Sequence, residues 1–141
     1  LAEMQDEFDL HAVAVEDAHH GHQRPKIEEY GDSLFAALHT VEVAGEELKV
    51  GEMDVFIGRN YVLSVRNHAE RGFQEVRARC EREPELLRYG SGYVLYALMD
   101  AIVDRYAPVL DTVEGELEAL EKLVEKVGRI DLHAGDGANE R

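Results

Sequence analysis

The stretch SGYVLYALMDAIVDRYAPVLDTVEGELEALEKLVEKV, residues 91–127, decides the fold because it predicts one long α-helix. Its apolar residues recur at intervals of three and four, the spacing of one helix face. Gly128 follows the last of them and is predicted to end the helix. Pro108 lies inside the pattern and predicts a kink or a loosened turn near Asp104. The apolar face consists of Leu95, Leu98, Ile102, Tyr106, Val109, Val113, Leu117, Leu120, Val124 and Val127.

The two halves of this helix differ in polarity. Residues 93–103 are apolar nearly all round, with Asp100 as the one charge, and are predicted to be buried on several sides. From Asp111 onward a narrow apolar seam runs among glutamates, which predicts that another helix covers it. That helix is either later chain absent from this sequence or a second copy of the protein. Alternatively, the acidic end is solvated and frays.

The composition limits the class of protein. A chain of 141 residues with 45% hydrophobic content predicts one domain plus an extension. The formal charge of −15 argues against nucleic acid and anionic membrane surfaces as partners, because both would repel it, and it favours cations. The single cysteine, Cys80, allows no disulfide framework and favours a reducing cytosol. No signal peptide or apolar run of about 20 residues is present, so the chain as given is predicted to be soluble.

The remaining patterns predict an α+β fold, with a mixed or antiparallel sheet, packed helices and one long C-terminal helix. Helical periodicity is found in three earlier segments, residues 1–8, 11–18 and 69–82. Strands separated by short turns, and therefore an antiparallel meander, are predicted at residues 33–43, 48–57 and 61–66. The His-, Gly- and Pro-containing residues 19–32 are predicted to form a loop, and residues 128–141 an irregular tail. The first helix begins without a cap, which suggests a piece of a longer protein.

Three carboxylates are candidate metal ligands. Glu16 and Asp17 are adjacent at the end of a short predicted helix, and paired carboxylates supply the oxygen ligands that Mg²⁺ and Ca²⁺ prefer. Asp100 lies on an otherwise apolar helix face, where a carboxylate is costly unless it is paired, hydrogen-bonded or metal-bound. A salt bridge from Asp100 to an arginine such as Arg24 or Arg66 is the structural alternative.

The sequence contains one histidine cluster and no recognisable catalytic motif. His19, His20 and His22 could bind Zn²⁺ or Ni²⁺, but they lie on a predicted loop without a cysteine, so a solvated loop is favoured. There is no phosphate-binding glycine loop, HExxH, CxxC pair or Gly-x-Ser-x-Gly. A metal-dependent hydrolase built on the three carboxylates would lack a placed nucleophile or base. The chain is therefore predicted not to be an enzyme.

Three segments of the chain carry a recognisable combination of motifs. The first, AVEDAHHGHQRPKIEEYGDSLF at residues 14–35, contains a Glu-Asp segment, a His-Gln-Arg-Pro-Lys motif and a strand entry. The second, VFIGRNYVLSVRN at residues 55–67, reads as strand, turn and strand, and the third, VRARCEREPELLRYGSGYVLYALMDAIVDRYAPVLDTVEGELEALE at residues 76–121, as a helix and the start of a long helix. Together, and in this order, they resemble the CorA family of divalent-cation transporters, whose long helix is called the stalk.

This resemblance implies an architecture. Family members are homopentamers whose α/β cytosolic domain leads into a long stalk helix and two membrane helices. By analogy, residues 1–90 would be the cytosolic domain without its first strands, residues 91–127 the start of the stalk, and residues 128–141 an irregular tail unlike stalk. The full-length protein would lie in the inner membrane with this chain on the cytoplasmic side. It would meet the membrane only through C-terminal helices absent here.

The resemblance also implies a function and its residues. Divalent cations bound between neighbouring cytosolic domains hold such channels closed, and the family's acidic positions fall on Glu16, Asp17 and Asp100. The leading interpretation is a cation-sensing regulatory domain of an Mg²⁺ or Co²⁺ transporter, with Mg²⁺ as the regulatory ion and the protein itself as partner. A zinc transporter of the same superfamily is one alternative. A helical scaffold that binds partners without any transport role is the other.

Overall fold

The structure, a computed structural model, describes residues 1–136, with side chains for residues 1–129. The chain divides into two compact units, Leu1–Tyr106 and Ala107–Arg141. The elements in chain order are α1 (Ala2–Phe8), α2 (Ala12–His20), β1 (Lys26–Tyr30), β2 (Ser33–Ala44), β3 (Glu47–Ile57), β4 (Val62–Asn67), α3 (Gln74–Arg82), α4 (Pro84–Leu87) and α5 (Ser91–Asp136).

The strands form an antiparallel sheet in the order β1-β2-β3-β4. Strands β2 to β4 lie within one residue of their predicted bounds, so the predicted α+β class and the antiparallel meander are confirmed. The β2–β3 hairpin closes at the pair Ala44 and Glu47. Its turn contains Gly45 at φ 66°, a backbone conformation that glycine adopts without a Cβ clash.

Both faces of the sheet are covered within the first unit. Successive side chains of a strand point to opposite faces, so β3 contributes to two separate clusters. On one face, β3 packs with α3 and the first part of α5 through Met53, Val55, Ile57, Val76, Cys80, Tyr93, Ala97, Leu98 and Ile102. On the other face, the strands pack with the α2 region through Leu10, Ala14, Val15, Ala18, Phe35, Ala37 and Phe56. The sheet is therefore the middle layer of three.

The predicted loop at residues 19–32 is wrong in part, because it contains strand β1. The five residues of β1 pair with β2 from Lys26 opposite Ala37 to Tyr30 opposite Ser33. The connecting turn is Gly31-Asp32, with Gly31 at φ 62°. Ile27, the central apolar residue of β1, is 56% exposed, so this edge strand lacks the apolar pattern that marks β2 and β3.

Helix α5 departs from its prediction in two respects. It runs to Asp136, so the helix end predicted at Gly128 and the irregular tail from there to residue 136 are wrong; residues 137–141 lie outside the described residues. It is also less buried at residues 93–103 than predicted, because Tyr96 and Val103 are 55% and 60% exposed. The helix is continuous through Pro108. The narrow apolar seam after Asp111 is exposed in the single chain, and its cover by another helix stays a prediction: Val113, Leu117, Leu120 and Val124.

We expect Leu98→Ala to destabilise the first unit strongly. Leu98 is 6% exposed and belongs to the cluster on β3, so its truncation removes buried apolar surface and leaves a cavity. Such changes lower the free energy of unfolding by about 2–5 kcal/mol. Urea titration measures the loss, and Leu86→Ala is the matched control because Leu86 is 40% exposed. Equal losses in the two variants would contradict the assignment of this core.

Candidate functional site

Helix α2 carries the first two candidate ligands. Its buried face consists of Ala14, Val15 and Ala18, so Glu16 points to solvent and Asp17 is half-buried. The helix begins after His11, whose side chain accepts a hydrogen bond from the Val13 N–H. Gly21 ends it at φ 62°, with its N–H donating to the Asp17 carbonyl. The two carboxylates thus occupy the last turns of a short helix held on the sheet.

Asp17 is paired with a lysine of the edge strand. The Lys26 Nζ lies 2.7 Å from Asp17 Oδ2 and 3.1 Å from Glu28 Oε2. The hydrogen bond to Asp17 raises the pKa of Lys26 above its ordinary value. The hydrogen bond from Tyr30, and then that from Lys26, lowers the pKa of Glu28. A cation at Asp17 would therefore compete with the ammonium group of Lys26.

Asp100 is paired with an arginine of α3. Arg79 Nη1 lies 2.7 Å from Asp100 Oδ2, and Arg79 Nε lies 3.4 Å from Glu83 Oε2. The hydrogen bond to Asp100 raises the pKa of Arg79. The salt bridge foreseen as the structural alternative is therefore present, but its partner is neither Arg24 nor Arg66. A cation at Asp100 would have to compete with this guanidinium.

The structure does not bring the three candidate carboxylates together within one chain. Among the residues it describes, no group of three or more His, Cys, Asp or Glu side chains is placed to hold a metal ion. Glu16 makes one contact of note through its backbone, where its carbonyl hydrogen-bonds to His20 Nδ1 at 2.9 Å. A divalent cation at Glu16, Asp17 or Asp100 would therefore need further ligands from water or another copy of the chain.

The histidines do not form a cluster either. His19, His20 and His22 are exposed. The ring of His22 stacks on His68, with ring centroids 5.7 Å apart. Two imidazoles without further ligands are a poor Zn²⁺ site, because structural zinc sites take four ligands.

The structure shows a buried pair of acidic residues on β3 whose burial the sequence patterns do not predict. Glu52 and Asp54 alternate with Met53, Val55 and Ile57, a pattern that shows they share the opposite face of the strand but does not show that this face is covered. In the structure Glu52 is 5% exposed and Asp54 0% exposed. Burial, together with the neighbouring Glu52, raises the pKa of Asp54 to about 7. Two carboxylates inside an otherwise apolar stretch of strand are the one feature of the sequence that could have indicated this buried pair.

No helix in the described part of the chain is both long and apolar enough to cross a membrane.

The family becomes clear from comparison with known proteins. The model of the family described as CorA-like Mg²⁺ transporter protein matches residues 1–134. The chain belongs to the CorA-like family. YfjQ of Bacillus subtilis, whose name describes a metal ion transporter, is 33% identical over 119 residues, which cover 84% of this chain and 37% of that protein. The cobalt/magnesium transport protein CorA of Thermotoga maritima is 31% identical over 120 residues, covering 83% of this chain and 34% of that protein.

A solved structure carries the same fold as this CorA-like chain. The soluble domain of CorA from Methanocaldococcus jannaschii superposes with a TM-score of 0.64 over 89% of this chain and 51% of that one. At 19% identity the likeness concerns the fold alone. The chain spans about a third of the length of the curated relatives named above.

We expect replacement of His19, His20 and His22 by Ala to leave Zn²⁺ and Mg²⁺ binding almost unchanged, because these side chains are exposed and unclustered. Isothermal titration of the triple variant beside the unchanged chain measures both ions. His39→Ala is the control, because His39 lies outside this loop and its ring forms a structural hydrogen bond with the Gln23 carbonyl. Loss of submicromolar Zn²⁺ binding in the triple variant would favour a zinc transporter instead.

Proposed function

We propose that this chain is the cation-sensing, regulatory part of a CorA-like transporter of Mg²⁺, with Co²⁺ as a second ion. Membership of the family supports the proposal, since the matching family and the Thermotoga maritima relative carry magnesium in their names. In the proposed mechanism, cations bind and subunits rearrange, and no covalent bond is made or broken. The full-length protein would lie in the inner membrane with this chain on its cytoplasmic side.

The observation that carries the proposal is the pairing of two candidate ligands with cationic side chains. Asp17 contacts Lys26 and Asp100 contacts Arg79, each at 2.7 Å. Both carboxylates are partly exposed, at 23% and 37% of their side chains, so an ion pair there is weak and can be exchanged. A divalent cation that brings its own water could displace either partner. We propose that this exchange is the sensing step.

The proposed partner is the protein itself. One chain supplies too few ligands for a closed site in the residues described, whereas Mg²⁺ takes about six oxygens, several of them from water. Carboxylates from neighbouring copies would complete the coordination and neutralise part of the charge of −15 that each chain carries. Cation binding and assembly, as a pentamer in the full-length protein, would then be coupled.

We predict that Asp100→Asn weakens stabilisation by Mg²⁺. A ligand at about 100 times its dissociation constant stabilises the folded state by about 2.7 kcal/mol, which raises the melting temperature by several degrees. The unchanged chain should show this rise, and Asp100→Asn clearly less of it. Asp104→Asn is the matched control, because Asp104 is exposed, lies on the same helix and carries the same charge.

The same thermal titration separates metal binding from the salt bridge. If Asp100 serves only Arg79, Asp100→Asn lowers the melting temperature equally with and without Mg²⁺. Equal Mg²⁺-induced shifts of the melting temperature in the unchanged chain, Asp100→Asn and Asp104→Asn would therefore refute a role of Asp100 in metal binding. Arg79→Gln tests the converse. Because this variant removes the guanidinium that competes for Asp100, the Mg²⁺ concentration that produces half of the melting-temperature shift should fall.

We predict that self-association is weak without cations and increases with Mg²⁺, because the acidic chains repel one another. Sedimentation velocity should show this increase up to about 20 mM Mg²⁺, given dissociation constants of order 10⁻³ M for weak oxygen sites. NaCl at matched ionic strength is the control, since screening alone also reduces repulsion. A monomer at every Mg²⁺ concentration would contradict cation-bridged assembly of this chain.

A further inference from the structure

Glu52 and Asp54 lie side by side on the face of β3 that α2 and the following loop cover. Their residues are 5% and 0% exposed. Glu52 lies opposite His39 of β2 and Asn67 of β4, and Asp54 lies opposite Ala37 and Val65. The pair therefore has a strand on each side and lies on the sheet face that α2 covers.

One oxygen of each carboxyl group has a donor. The Gln23 N–H donates to Glu52 Oε2 at 2.9 Å. Asn67 Nδ2 donates to Asp54 Oδ2 at 3.0 Å and to the Ala18 carbonyl at 3.1 Å. Asn67 thus joins the last turn of α2 to β3, and Gln23 joins the loop after α2 to the same strand.

The other oxygen of each carboxyl group has no partner among the described residues. Glu52 Oε1 and Asp54 Oδ1 are both buried and make no hydrogen bond. Two such acceptors, each on a buried group that would otherwise be charged, cannot satisfy one another while both groups are ionised. One proton between them makes one oxygen a donor and the other an acceptor, and it removes one of two like charges.

No cationic side chain in the described residues takes the place of that proton. On α2, the negative charge of Asp17 makes ionisation of Asp54 harder. Lys26 of β1 is engaged by Asp17 and Glu28. His39 of β2 directs its Nε2 to the Gln23 carbonyl.

The other described groups around the pair, on β4 and on the loop after α2, do not provide a cation for it either. Asn67 of β4 is neutral, and His22 of the loop stacks on His68, which follows β4. The surroundings thus favour a neutral member in the pair.

We propose that Glu52 and Asp54 share one proton near neutral pH, and that this proton allows the pair to stay buried beneath the end of α2 and the loop after it. The interaction is a built-in pH-sensitive contact. Its loss would place two like charges beneath the helix that carries Glu16 and Asp17. The inference concerns the fold of this chain and does not depend on the proposed transport function.

The sign of the pH dependence follows from linkage. The pKa of Asp54 lies at about 7 in the folded chain, above its ordinary value of 3.8. Between these values the folded chain retains a proton that the unfolded chain has released, so stability falls as pH rises through this interval. The stabilising contribution is complete below about pH 4 and is lost as pH rises to about 7.

The first test compares melting temperatures at pH 5, 6, 7 and 8. In Asp54→Asn the amide can donate to Glu52 and accept from Asn67, so it mimics the protonated group at every pH. The advantage of the unchanged chain over this variant should shrink by several degrees between pH 5 and 8. Glu52→Gln should behave in the same way. Glu46→Gln, in the exposed β2–β3 turn, removes an equal charge and should show a constant difference.

The second test needs no variant and decides the matter even if these variants do not fold. Carbon-13 NMR of the side-chain carboxyl groups should show one proton leaving the pair near neutral pH, in 0 and in 10 mM Mg²⁺ alike. Ionisation of both groups below pH 5 would overturn the proposal. A neutral step that Mg²⁺ moves to lower pH would also overturn it and identify a cation site instead.

Discussion

Strand β3 has to bury both of its faces, and much of the first unit depends on this constraint. Met53 and Val55 on one side pack with α3 and α5, while Phe56 on the other side packs with the region of α2. The helices on the two faces are therefore positioned by a single strand. The cost of this arrangement is that Glu52 and Asp54, on the same strand, are removed from water. Hydrogen bonds from the Gln23 N–H of the loop after α2 and from the Asn67 side chain of β4 offset part of that cost.

Two of the candidate ligands are paired with basic side chains although such side chains are scarce in this chain. Asp and Glu number 30 against 15 Lys and Arg, so acidic side chains outnumber basic ones two to one. Asp17 takes Lys26 and Asp100 takes Arg79, which link α2 to β1 and α5 to α3. These pairs are structural in the single chain. Each pair neutralises one carboxylate of the chain.

The sequence was sufficient for the elements whose pattern is local. Strands β2 to β4 and the core positions of α5 follow from alternation and from spacings of three and four. Strand β1 was missed because its apolar residue, Ile27, faces solvent and its pairing with β2 is a tertiary effect. The Gly31-Asp32 turn could have revealed this hairpin. The helix passes Gly128 because a glycine permits a helix end without requiring one.

The candidate site was only partly predictable. Periodicity placed Glu16, Asp17 and Asp100 on helices. The salt-bridge partner of Asp100 is Arg79, 21 positions earlier in the chain, and no local sequence pattern indicates this pairing. The burial of Glu52 and Asp54 depends in the same way on α2, which covers a face that alternation alone leaves undetermined. The salt bridge of Asp100 and the burial of the β3 carboxylates both depend on which helices and strands pack together in the folded chain.

Cation binding at the three carboxylates can be tested by locating bound ions in crystals of this chain grown with Co²⁺, using the anomalous scattering of the metal. We expect anomalous peaks beside Glu16 or Asp17 and beside Asp100, with the coordination completed by water or by carboxylates of a neighbouring copy. Lys26 and Arg79 should be displaced where a peak is present. Peaks confined to the histidines, or their absence at all three carboxylates with both ion pairs intact at millimolar Co²⁺, would contradict this expectation.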